Sequence, residues 1–190
     1  MTPARLNALT DGVVAIVLTI MVLELKFPEE PTLEAVLTVL PLLAAYLLAF
    51  IYVAIYWNNH HHMVDSAHRV TGSVLWTNHA LLFCLTLFPL MIRWIDEAGV
   101  TPLPVASFGV VLALASLAYR LLQFALAAAE GEGSRIREVM RRPLKEYSSL
   151  ACYIVAIAMA FVQPYISVAI YVLVAAVWII PDRRFARPAT

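Results

Sequence analysis

An all-α integral membrane protein with six transmembrane helices in a single domain is predicted for this chain of 190 residues, and three observations predict it. Hydrophobic residues make up 62% of the sequence and charged residues only 14%, a balance foreign to soluble globular domains. Apolar runs long enough to cross a hydrocarbon core of roughly 30 Å recur along the whole chain. Lysine and arginine then fall almost entirely on one side of the six-span topology, which puts both termini in the cytoplasm. The formal net charge is zero, so electrostatics give no reason to expect a nucleic-acid partner; membrane lipid is the expected surround.

The first span is predicted at residues 8–27. Its apolar run from 13 to 23 is interrupted only by Thr19, and on a 3.6-residue period Ile16, Ile20 and Leu23 share one stripe with Thr19 at its edge. Several copies of that stripe facing one another would form a narrow hydrophobic pore with a ring of hydroxyls. The run follows a single Arg5 and ends in Glu24, Lys26 and Pro28 without a small-residue cleavage site, so it reads as a retained helix. The second span, 33–57, leads into Trp57-Asn-Asn-His60-His61-His62, then Asp65 and His68. The third, 73–95, opens with Trp76 and Asn78.

The fourth span, 103–128, carries Arg120 in its cytoplasmic half, where the long stem lets the guanidinium snorkel. The polar stretch 130–146 mixes both signs of charge and reads as a cytoplasmic linker or short surface helix. Spans 146–163 and 165–181 are separated by Gln163-Pro164, a tight hairpin in which proline stops one helix and starts the next. Cys84 and Cys152 lie in apolar segments and read as small buried hydrophobes. Arg5, Arg69, the cluster Arg135, Arg137, Arg141, Arg142 and Lys145, and the tail Arg183, Arg184 and Arg187 define the cytoplasmic side; the other side keeps Lys26 and Arg93.

Three consecutive histidines cannot point one way on a helix, because successive residues turn by about 100°. With His79 and His68 the only further histidines, the set falls short of a di-iron hydroxylase, and no metal site is expected. His61 and His62 read as a membrane-interface cap. His60 has a more specific place, since Arg5, Asp11, Trp76 and Asn78 reach the same membrane surface. Asp11 lies about 140° around the helix from Ile16, so a centrally facing Ile16 turns Asp11 back into the bundle. A buried network of Asp11, His60 and Asn78 fixing the first span, with Arg5 near its cytoplasmic end, is therefore expected. A secondary transporter or proton-leak pathway using Asp11, Glu24 or His60 is the competing class. An enzyme is not expected, because Ser148-Ser149 and the scattered carboxylates supply no nucleophile and base at recognisable spacing.

Arg5-x-x-x-Leu9-Thr10-Asp11-Gly12 resembles the Arg-x-x-x-Phe-Ser-Asp signature that opens the transmembrane protein 175 family of potassium channels. The resemblance continues through Tyr56-Trp57-x-x-His60-His61, Leu75-Trp76-x-Asn78 and Ile179-Ile180-Pro181-Asp182-Arg183-Arg184, in the family's order and over nearly the whole chain. It implies a homotetramer in a cell membrane, expected to be a bacterial plasma membrane, with the first helix lining a central pore. Potassium would be the permeant ion, with other monovalent cations less favoured and no cofactor. The carbonyl filter of ordinary potassium channels would be missing, and no Thr-Val-Gly-Tyr-Gly loop occurs here. By position, Ile16 matches the family's hydrophobic constriction, Ile20 and Leu23 continue it, and Thr19 matches a threonine linked to selection of potassium over sodium. Arg5, Thr10, Asp11, Trp57, His60, Trp76 and Asn78 would form the cytoplasmic structural network. Leu9 and Thr10 depart from the signature's Phe and Ser, which keeps the hydroxyl and carboxylate but loses the aromatic packing.

Overall fold

The computed structural model describes residues 1–26, 28–131, 135–140 and 143–179. Phe27, Arg141 and Arg142, the basic tail and the end of the last motif after Ile179 therefore lie outside the described residues, as do the side chains of Arg135 and Val139. All regular structure among the described residues is helical: α1 (Pro3–Leu23), α2 (Leu33–Thr38), α3 (Leu40–Asp65), α4 (Gly72–Thr86), α5 (Phe88–Ala98), α6 (Pro102–Glu130), α7 (Arg135–Met140), α8 (Leu144–Met159) and α9 (Pro164–Ile179).

The helix ends differ from the apolar runs for local reasons. α1 starts at Pro3, five residues before the predicted boundary, because the Thr2 hydroxyl caps Arg5 N–H and proline is tolerated in a first turn. The second span divides at Val39, just before Pro41, into α2 and α3. α3 then runs past residue 57 to Asp65, carrying the Trp57 to His62 segment as helix. The third span divides at Leu87, ahead of Pro89, into α4 and α5, which together make a 27-residue apolar path. Within the polar linker stands the short α7.

Among the described residues, four paths are long and apolar enough to cross a membrane: Pro3–Leu23, Leu40–Asp65, Gly72–Ala98 and Pro102–Glu130. α8 and α9 have 16 residues each, about 24 Å of helix. They form a hairpin whose closeness is fixed by Ser167 Oγ donating to Ala156 O at 2.6 Å.

α6 is the central post, packing against α4, α5, α8 and α9, while α1 packs against α3, α4 and α5. The middle of the core is aromatic: Phe108 meets Tyr52, Phe88 and Tyr171 at ring separations of 5.7 to 6.3 Å. Their hydroxyls find backbone acceptors, since hydrocarbon offers none. Tyr52 donates to Tyr171 O (2.7 Å), and Tyr171 donates to Val105 O (3.1 Å). Gly109 admits this arrangement, because a Cβ there would overlap Tyr171 Oη and stand 2.8 Å from Ile157 Cγ1.

Candidate functional site

α1 has two faces. Leu6, Asn7, Thr10, Val14, Val17 and Met21 form its buried stripe at helical spacing. Ile16, Thr19, Ile20 and Leu23 fall on the other side and are exposed in the single chain, at 58% for Ile16 and 79% for Leu23. Thr19 donates its hydroxyl hydrogen to its own helix, at 3.0 Å from Ala15 O and 2.9 Å from Ile16 O. The hydroxyl oxygen is thereby left as an acceptor on the exposed face.

The buried face is bolted at its N-terminal end. His60 Nε2 of α3 lies 2.7 Å from Asn78 Oδ1 of α4 and 3.4 Å from Thr10 Oγ1 of α1. Asn78 Nδ2 closes the triangle by donating to Thr10 Oγ1 at 3.3 Å. All three residues are at most 1% exposed. With Nε2 protonated, His60 donates to Asn78, and the three helices are joined through one buried triangle of polar contacts.

Asp11 stands outside this buried trio, contrary to the sequence expectation, and Thr10 occupies the position expected for it. The two neighbours point about 100° apart, and turning the hydroxyl inward leaves the costlier carboxylate at the surface. Asp11 instead accepts from Trp57 Nε1 at 2.7 Å. The Trp57 ring stacks on His61 at 5.8 Å, His61 Nε2 lies 3.1 Å from Asp65 Oδ2, and Asp65 Oδ1 accepts from Asn7 Nδ2 at 2.7 Å. A second, outer set of contacts thus ties α1 to α3 twice, through Asp11 and through Asn7.

His61 therefore does more than cap the interface, whereas His62 is exposed and only tilts against the His61 ring. Asn7 and Asp65 were not singled out from sequence as a pair. The available signal was Asn7 lying three residues before Thr10 on the same stripe, and Asp65 lying four after His61. Arg5 is exposed in the first turn of α1, and Trp76 is 79% exposed with its ring against His79. Neither joins the two sets of contacts in the single chain.

Beyond Ile20, the exposed face borders a groove of about 480 Å³ that also includes Glu24, Thr86, Leu90 and Arg93. Arg93 Nε pairs with Glu97 at 3.0 Å, and Lys26 lies 3.8 Å from Asp96. The ion pairs at this end thus lie off α1, on Lys26, Arg93, Asp96 and Glu97, while at the other end Asp11 of α1 bonds directly to Trp57 of α3.

The profile of the family described as endosomal/lysosomal potassium channel TMEM175 matches residues 5–89, which include most of α1, all of α3 and α4 and every residue of the trio. A potassium channel from Chryseobacterium sp. (strain P1-3) is 44% identical over 187 residues, covering 98% of this chain and 97% of the relative. A potassium channel from Chamaesiphon minutus is 29% identical over 178 residues, covering 87% and 88%. The crystal structure of a lysosomal potassium-selective channel TMEM175 homolog from Chamaesiphon minutus superposes with a TM-score of 0.80 at 22% identity. It covers 93% of this chain and 96% of that one, and so shares the fold.

Proposed function

Since the chain belongs to the TMEM175 family of potassium channels, we propose that it is a potassium-selective cation channel, a homotetramer of six-crossing subunits with α1 around a central pore. Ions pass down their electrochemical gradient in a cell membrane, in this reading a bacterial plasma membrane, with both termini in the cytoplasm. The observation that carries the proposal is the division of α1 into a bolted face and an outward stripe of Ile16, Thr19, Ile20 and Leu23. A ring of Ile16 side chains, continued by Ile20 and Leu23, excludes water when narrow and forces partial dehydration when wider. Potassium gives up its hydration water at lower cost than sodium, so such a ring favours it. The outward oxygen of Thr19 supplies a replacement ligand beside the constriction.

In this mechanism the trio of Thr10, His60 and Asn78, with the outer contacts of Asp11 and Trp57, fixes the rotation of α1 about its axis. Rotation matters because a turn of one residue, about 100°, would take Ile16 off the pore axis. Arg5 and Trp76, exposed in the single chain, belong to the same cytoplasmic end and are available to a neighbouring subunit.

Potassium flux into liposomes containing the purified protein tests the proposal, with wild type compared against Ile16→Asn. The expected outcome is fast, non-saturating flux that rises or loses selectivity in the variant, because a polar ring no longer dewets. Saturable flux requiring a second ion would mean a transporter using Asp11, Glu24 or His60 and would overturn the channel reading.

A further inference from the structure

A second polar locus lies on the far side of α3 from the trio. Tyr56 and Asn59 of α3, Ser116 and Arg120 of α6, Glu146 and Ser149 of α8 border a cavity shared with Trp178 of α9. Its volume is about 30 Å³, against the roughly 10–15 Å³ that one water requires. Glu146 is 7% exposed, and its Oε2 has no hydrogen-bond partner among the described residues. Arg120 Nε, also buried, has none either. Elsewhere in the guanidinium, Nη1 donates to Gln123 Oε1 at 3.0 Å and the carbon lies 4.8 Å from the Phe124 ring centre and 5.5 Å from that of Tyr147. Arg120 is thus held in place, and the two residues that carry the left-over donor and acceptor line one small cavity without a direct ion pair.

We propose that this cavity is a permanent binding site for water, which bridges Arg120 Nε to Glu146 Oε2 and so docks the α8–α9 hairpin on α6. A buried donor and a buried acceptor each carry a penalty when unpaired, and one water removes both. The lining hydroxyls and the Asn59 amide offer the further partners that an ordered internal water needs. The hairpin end is gathered at the same place by Trp178 Nε1 donating to Ser149 Oγ at 2.8 Å and by Lys145 lying 4.3 Å from the Trp178 ring centre.

Ser116→Val, in the full-length protein purified into lipid nanodiscs, separates a water site from a dry void. Filling a dry apolar void raises stability, whereas displacing a bridging water strands both polar atoms. The expected result is a melting temperature lower by at least about 3 °C in the wild-type background. In the Arg120→Met/Glu146→Met background the same substitution is expected to be neutral or stabilising. A rise in the wild-type background, or an equal fall in both backgrounds, would overturn the proposal, the second by showing simple overpacking. Hydroxyl-radical labelling of the unmutated protein gives a readout independent of folding yield. Tyr153, 3% exposed but lining the cavity, should be oxidised while the fully buried Phe88, which does not line it, is spared. Absence of label on both residues would likewise sink it.

Discussion

The two ends of α1 are held by opposite means. The N-terminal end is fastened to α3 and α4 by side-chain hydrogen bonds at Asn7, Thr10 and Asp11. The outer half, from Val14 to Met21, meets the bundle only through an apolar stripe, and its one hydroxyl, Thr19, bonds back to α1 itself. Hydrogen bonds fix angle and register, while apolar packing in a membrane tolerates sliding, because lipid tails compete on equal terms with side chains. A helix built this way is clamped at one end and adjustable at the other. The adjustable end is where Ile16, Ile20 and Leu23 face outward, so the constriction proposed there can widen without unfastening the helix.

Removing the clamp is the most damaging change. His60→Leu takes away the partner shared by Thr10 and Asn78, at about 1–3 kcal/mol for a buried polar group left unsatisfied. Thermal melting of the purified protein should drop by several degrees and potassium flux should fall with it. Melting unchanged from wild type would show that the trio does not hold α1, and the contrast between the two ends would fail.

Loosening only the outer contacts should cost less. Trp57→Phe keeps an aromatic ring to stack on His61 but deletes the donor to Asp11. Because Asp11 is exposed and water can replace the lost donor, the expected destabilisation is about 0.5–1.5 kcal/mol. A double-mutant cycle with Asp11→Ala measures the coupling. A coupling of zero would reduce the outer contacts to surface decoration and leave the trio as the sole clamp.

How much of this was legible in the sequence follows from the same contrast. Apolar runs located the long helices, since a membrane demands about 20 apolar residues per crossing. They did not locate helix ends: α3 continues eight residues past 57 because backbone bonding and packing against α1 persist beyond the apolar stretch. Within the site, the motifs named Thr10, Asp11, Trp57, His60 and Asn78, which make contacts near the N-terminal end of α1, yet not who bonds to whom. Thr10 and Asp11 are adjacent, both polar, and separated only by phase around the helix. Burial decides between them, and burial depends on where α3 and α4 lie. Trp76 shows the converse, a motif residue 79% exposed with its ring against His79. Arg120 was visible as an isolated charge, but the cavity it shares with Glu146 joins positions 26 residues apart across two helices, beyond the reach of periodicity.

The finest change tests the adjustable end alone. Thr19→Ala removes a hydroxyl whose hydrogen bonds only to its own helix, so stability should move by no more than about 0.5 kcal/mol. No clamp residue touches it, and assembly should proceed as in wild type. What should change is the response to ion identity, because the acceptor oxygen beside the proposed constriction is gone while the apolar ring remains. Reversal potentials under a potassium/sodium gradient should shift toward zero as potassium preference weakens, with conduction retained. If the reversal potential stays where it was, selectivity rests on the dehydration imposed by Ile16 and its neighbours. If melting falls as far as in His60→Leu, the outer half of α1 is held by more than its apolar stripe, and the division of the helix into a clamped and an adjustable end does not stand.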